Sequence, residues 1–245
     1  TAVRFLFGLP FAALVLASMA VLVPVPMPDA AVLGWAALGA SSQIAATALM
    51  LLTMESRGFG VTTALIKTEP VTLALIGALL LAEPLGPVRM AAIATATLGV
   101  VLMSGADWRR GGWRAGGLGI AAGALSGLSA IGFRGALVAL PFGAEPVRAA
   151  TVLLLSLALQ SAIMLAWLGA ADRRALAGIA RHWRGSLGAG ALGALASLFW
   201  FLGFALTAAA NVRTLALVEV VMAQLVSGRL FREGISGRQM AGMAL

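Results

Sequence analysis

The sequence predicts an all-α polytopic membrane protein made of two related halves that face opposite ways across the bilayer. Three observations predict it. First, 61% of its residues are hydrophobic and only 11% are charged, with a mean hydropathy of +1.00, whereas soluble domains carry about 25% charged residues. Second, the apolar residues fall in runs of about 20, the length a helix needs to cross a ~30 Å hydrocarbon core, and not in the alternating segments of about ten that build a barrel. Third, Thr62–Met90 aligns without a gap on Val212–Met240 at an offset of 150, so that Leu65 meets Leu215, Glu69 meets Glu219, Val71 meets Val221, Leu75 meets Leu225, Leu80 meets Leu230, Glu83 meets Glu233 and Met90 meets Met240.

Taken in order, the apolar segments are 2–24, 31–53, 60–82, 86–104, 116–139, 146–169, 184–208 and 212–231, with a stub at 237–245. The first ends in Pro24-Val25-Pro26-Met27-Pro28-Asp29, a run that neither helix nor strand continues through. Glu83-Pro84-Leu85-Gly86-Pro87, Trp108–Trp113 and Pro141–Pro146 mark further breaks. Segment 2–24 pairs with 146–169 through Val3-Arg4 and Val147-Arg148 at an offset of 144, and the longer loop 170–183 raises the offset to 150. The next three segments pair with 184–208, 212–231 and 237 onward, while 116–139 has no mate ahead of Thr1. The expectation is therefore a ten-helix, five-plus-five inverted repeat whose first helix and the end of whose tenth are absent from this sequence. Its parts are a first repeat at 1–104, an inter-repeat loop at 105–115 and a second repeat at 116–245.

Arginine placement sets the expected orientation. One alternate set of loops holds Arg57, Arg109, Arg110, Arg114, Arg173, Arg174, Arg181, Arg184, Arg229, Arg232 and Arg238, and the other holds Arg89, Arg148 and Arg213. Adding Arg4 and Arg134, just inside segment ends, gives twelve against four. The richer side reads as cytoplasmic, which puts both ends of a ten-helix chain outside. The net charge of +8 is thus a topology signal and not a nucleic-acid footprint. Small residues at four-residue spacing, Gly119, Gly123 and Gly127, and again Gly185, Ala189 and Gly193, offer faces for close helix approach.

The sequence has no cysteine and one histidine, His182, in an arginine-rich loop. Disulfides, thiol chemistry, cysteine metal sites and histidine clusters are excluded, and no metal or cofactor is expected. A serine–histidine enzyme would need a histidine at depth, so the expectation is not an enzyme.

Ionisable groups at depth remain. Glu69 lies about nine residues into its segment, roughly 14 Å at 1.5 Å per residue, where a charge costs about 2.5–3.5 kcal/mol on insertion scales. Lys67 is two residues away and points apart from it on a regular helix. Pro70 lacks an N–H and crowds the carbonyl of Ile66, so it kinks or breaks the helix. The three together read as a discontinuous helix at a binding site. The plainer alternative is a kink with a protonated glutamate, or a Lys67 ion pair that only holds helices together. Glu219 is the mate of Glu69, with Val220 in the place of the proline. Glu83 and Glu233 read as helix-end residues.

Gln43, Thr47, Met50 and Met54 share one helix face, and their mates are Gly193, Ser197, Trp200 and Phe204. An amide, hydroxyls, thioethers and aromatic surface suit a pocket for a small amphipathic molecule; packing is the blander reading for methionine and aromatics. Ser126, Ser129, Ser156, Gln160 and Gln224 are further polar groups inside segments, of the kind that bond across helices. Arg134, near a helix end, either snorkels to the interface or receives a carboxylate.

Thr63-Ala64-Leu65-Ile66-Lys67-Thr68-Glu69-Pro70, Glu83-Pro84-Leu85, Gly99-Val100-Val101-Leu102-Met103, Asn211–Glu219 and Phe231-Arg232-Glu233-Gly234-Ile235-Ser236 resemble the EamA repeat of the drug/metabolite transporter superfamily. Within it the chain looks most like amino-acid and metabolite exporters of the YddG type. The resemblance implies a ten-helix inverted-repeat carrier of the bacterial inner membrane with a central cavity. Two departures are the absent first helix and the arginine bias toward outside termini, where many members have them inside. The expected function is secondary transport of small amphipathic metabolites, amino acids foremost, by alternating access. The partners are then the lipid bilayer and the small-molecule substrate, with no nucleic acid. Gln43, Thr47, Met50, Ser197 and Trp200 would line the cavity; Lys67 and Glu69 would form a charge pair or gate, Glu219 a second polar anchor, and Pro70 the kink. A nucleotide-sugar or phosphorylated-metabolite carrier, or a multidrug exporter, is the alternative; the first needs converging cations, for which Lys67 and Arg134 are the candidates.

Overall fold

The computed structural model describes residues 2–66, 69–82, 86–103, 112–219 and 222. They form α1 (Ala2–Ala20), α2 (Ala30–Ile66), α3 (Glu69–Leu81), α4 (Pro87–Met103), α5 (Gly112–Ala139), α6 (Glu145–Ala171), α7 (Arg173–Arg181), α8 (Trp183–Leu206) and α9 (Ala209–Leu215), with no strand among the described residues. Among those residues, five helical stretches are long and apolar enough to cross a membrane: α1, Ala30–Met54 of α2, Gly117–Ala139 of α5, α6 and α8. The chain is thus an all-helical protein with the helices of a multi-pass membrane protein.

Local chemistry sets the starts. The proline-rich run after α1 ends at Asp29, whose Oδ1 accepts from the Val32 amide at 2.9 Å and so satisfies one of the free donors at the start of α2. Prolines stand where α4 and α6 begin, Pro87 first in α4 and Pro146 second in α6, positions where a missing N–H costs nothing.

Three elements differ from the sequence expectation. The loop expected between 53 and 60 is helix, because α2 runs 37 residues from Ala30 to Ile66. At 1.5 Å per residue that is about 55 Å, well beyond a ~30 Å core. The sequence Met54-Glu55-Ser56-Arg57-Gly58-Phe59 changes polarity without a proline, and polarity alone does not end a helix. Loop 170–183 contains α7, started by Asp172, whose side chain accepts from the Ala175 amide at 2.9 Å. The helix expected over 212–231 begins earlier, at Ala209, and is interrupted after Leu215 by a turn at Ala216–Leu217, with Val218, Glu219 and Met222 helical again. There Leu217 N donates to Thr214 O at 3.1 Å and Glu219 N to Ala216 O at 3.0 Å, the tighter i→i+3 pattern of a 3₁₀ turn. The stub at 237–245, with Lys67, Glu83, Gln224 and Glu233, lies outside the described residues.

Contacts divide the chain into two compact units, Thr1–Ile44 with Gly132–Thr207, and Ala45–Ile131 with Ala208–Leu245. These do not follow the order of the repeats. Each unit gathers segments with their repeat mates: α1 packs on α6 and α8 in unit 1, and α3 packs on α9 and α4 in unit 2.

Unit 1 closes through glycines. A Cβ on Gly190 would meet the Phe7 backbone carbon at 2.5 Å, and one on Gly132 would meet the Gly39 amide nitrogen at 2.5 Å. At these two crossings backbone lies against backbone, which only a residue without a side chain permits. Gly193 belongs to the predicted small-residue face and lies under Arg4, whereas Gly185 of the same face meets nothing within 4 Å. The unit 1 core beside these crossings is Phe5, Ala12, Phe133, Leu137, Val152, Leu153, Phe201 and Phe204, each at most 6% exposed. Phe133 and Phe201 stack with centroids 4.7 Å apart and tilted rings, a favoured aromatic geometry. In unit 2, Gly127 of the other predicted face lets α5 close on Leu73, whose Cβ would be 3.4 Å from an added methyl.

Candidate functional site

Polar side chains inside apolar helices fall into separate groups in the two units. In unit 1, Arg4 Nη2 donates to Ser197 Oγ at 2.8 Å, and Ser197 Oγ donates to Gly193 O at 2.8 Å. The Arg4 stem passes over Gly193, where an added Cβ would touch Cγ at 3.0 Å. The small residue therefore makes room for the arginine. Gln160, only 1% exposed, donates through Nε2 to Gln43 Oε1, joining α6 to α2. Arg134 Nη1 reaches the last turn of α8 and donates to Phe204 O at 2.7 Å and Ala205 O at 3.1 Å. A cation at helix-end carbonyls meets the negative end of the helix dipole. Trp200 is half-buried and sits 5.9 Å from Phe204, ring to ring.

In unit 2, Glu69 opens α3 and Arg213 lies on α9. Arg213 Nε is 3.0 Å from Glu69 Oε1, with the carboxylate side chain 7% exposed and the arginine 23%. The Nε–H does not aim at that oxygen, so these two atoms form a close ion pair without a straight hydrogen bond. Pro70, buried beside Glu69, is second in α3. A cavity of about 690 Å³ is lined by Val88, Ala92 and Ile93 of α4 and by Asn211, Thr214 and Leu215 of α9. Among its described lining residues the cleft is apolar with one amide and one hydroxyl, and it has the size of small-molecule sites.

The residues singled out from sequence therefore part company. Ser197 meets Arg4, Gln43 meets Gln160, and Glu69 meets Arg213. Thr47 and Met50 are half-buried on α2, Glu219 is exposed, and Lys67 lies outside the described residues. Ser156 does not bond across helices; its hydroxyl donates to Val152 O on its own helix at 2.6 Å. Arg134 receives main-chain carbonyls at the end of a neighbouring helix.

Arg213 and Arg4 are what sequence reasoning missed. Both read as flanking charges in the sequence because they sit at segment ends. The available signal was positional: Arg213 stands six residues before Glu219, inside the very stretch that repeats around Glu69. The repeat also exposes an asymmetry. Arg148 is the mate of Arg4 and Thr47 the mate of Ser197, yet Arg148 donates to the carbonyl of Leu137.

No family profile and no curated protein matches the chain. It is similar to a solved crystal structure of a protein at 17% sequence identity, with a TM-score of 0.66 over 99% of this chain and 82% of the other; at that identity the likeness is one of fold alone.

Proposed function

We propose that this protein is a secondary transporter of the drug/metabolite type that carries small amphipathic metabolites, amino acids foremost, across a bacterial inner membrane by alternating access through a ten-helix inverted repeat. The observation that carries the reading is the pair of buried Glu69 with half-buried Arg213. Ionisable groups placed among apolar helices mark substrate or ion pathways by default, since a purely structural contact is made more cheaply by apolar side chains. An amino acid presents an ammonium and a carboxylate at a fixed short separation. It can exchange its carboxylate onto Arg213 and its ammonium onto Glu69 while the charges stay balanced. The apolar cleft on α4 and α9, with Asn211 and Thr214 in its wall, gives the substrate's side chain a place beside the same helix. Gln43, Thr47, Met50, Ser197 and Trp200 are assigned to cavity lining and Glu219 to a second polar anchor in this scheme.

Flux of labelled amino acids into proteoliposomes tests it. Glu69→Gln and Arg213→Gln are each expected to lower flux at least about tenfold, because each strands the other's charge. Full flux from well-folded variants would remove the pair from the mechanism, and absence of flux for amino acids, sugars and nucleotides alike from the unsubstituted protein would remove the reading itself.

A further inference from the structure

The sequence 170–184 reads as a loop whose arginines set topology, but the structure turns it into a patterned surface. α7 runs Arg173–Arg181 between α6, which ends at Ala171, and α8, which begins at Trp183. Both neighbours are long and apolar enough to cross a membrane, so α7 lies where the chain leaves the hydrocarbon and re-enters it. Its residues sort by face. Ala175, Leu176, Gly178 and Ile179 are half-buried, and α7 packs on α6 and α8; Arg173, Arg174 and Arg181 are exposed. Arg184 continues the charged side one turn on, its guanidinium carbon 5.5 Å from the Trp183 ring centre, in cation–π range.

The charge is not compensated locally. Asp172 is the one acid in the sequence between Glu145 and Glu219, and its Oδ1 is engaged by the Ala175 amide. Arg173 Nε donates to Gly169 O at 2.9 Å, which holds the side chain in place and leaves its charge unneutralised. Arg174 and Arg181 have no side-chain partner among the described residues. Two tryptophans flank the patch, Trp167 at 59% and Trp183 at 46% exposed. Tryptophan at the ends of spanning helices marks headgroup level. An amphipathic helix with an arginine face, seated at that level, fits one surface chemistry, a layer of phosphate-bearing anionic headgroups.

We infer that α7 and the Trp183–Arg184 corner bind the anionic phospholipids of the leaflet they face, as a docking surface for headgroups of net negative charge. Native mass spectrometry of the full chain, released from micelles containing equal phosphatidylglycerol and phosphatidylcholine, reads the lipid that stays bound. The chain is expected to retain phosphatidylglycerol over phosphatidylcholine by at least about tenfold, each arginine contributing about fivefold. The combined substitution R173Q/R174Q/R181Q/R184Q is expected to retain both equally with unchanged helix content by circular dichroism. If that variant does not fold, R174Q/R181Q, which removes only side chains without partners, is expected to lower the preference about tenfold or more. Equal retention by the unsubstituted chain, or an undiminished preference in a folded variant, would overturn the inference. Displacement of the lipid by millimolar glycerol 1-phosphate would also overturn it, since the patch would then be a site for a soluble phosphate and not for a bilayer.

Discussion

In unit 1, Arg4 donates to a hydroxyl, Arg134 to two main-chain carbonyls and Gln160 to an amide, contacts between helices that end on neutral oxygens. In unit 2, Arg213 ends on a carboxylate. The difference is one of consequence. A neutral acceptor that loses its donor keeps some of its hydrogen bonding, as Ser197 would through Gly193 O. A buried carboxylate that loses its cation keeps a bare charge in a medium that solvates it poorly. These unit 1 contacts come apart singly, whereas the Glu69–Arg213 pair of unit 2 must be exchanged for an equivalent pair of charges.

Breaking the unit 2 pair should show the largest effect. Arg213→Gln is expected to destabilise the protein by about 3–5 kcal/mol, read as a fall in the thermal midpoint in detergent. Glu69→Gln combined with Arg213→Gln should recover most of that loss, because the stranded charge is gone. If the single and double variants melt together, the pair is not coupled and the contrast between the units fails. Next comes the crossing that holds unit 1. Gly190→Val drives methyl groups into the Phe7 backbone and is expected to cost about 1–3 kcal/mol or more, measured the same way. Gln160→Leu removes the amide bridge to Gln43 and should cost about 0.6–2 kcal/mol. A cost equal to that of Arg213→Gln would mean that neutral and charged pairs are worth the same. Smallest of all, Arg174→Gln on the exposed face of α7 should leave the midpoint within about 0.5 kcal/mol of the parent, so that any loss of lipid selectivity there is separable from stability.

How much of this could be read from sequence depends on what kind of signal each residue sends. The spanning helices were legible because a run of about 20 apolar residues has few other uses, and Glu69 stood out because a charge in such a run is costly. Arg213 and Arg4 were not legible as site residues. An arginine at a segment end has two equally good explanations, flank or partner, and only the neighbouring helix decides between them. α7 hid for a similar reason: three arginines in nine residues look like a loop, although Asp172 ahead of Leu176 and Ile179 is a cap followed by an apolar pair at helical spacing. α2 was cut short because the change from apolar to polar at Met54 marks the edge of a solvent and not the end of a helix. The crossing at Gly190 was missed since Gly185, Ala189 and Gly193 make the more regular pattern, while contact follows the angle at which α1 crosses α8.

Arg134 holds the end of α8 by main-chain oxygens, and this has a consequence for how the protein can vary over generations. A contact to carbonyls does not depend on which side chains stand at Phe204 and Ala205, so substitutions there leave it in place. For this contact the burden falls on the donor. Lysine presents a single ammonium where one guanidinium nitrogen now spans two carbonyls on a planar, rigid group. Drift is therefore expected to be tolerated on the accepting side and refused at position 134.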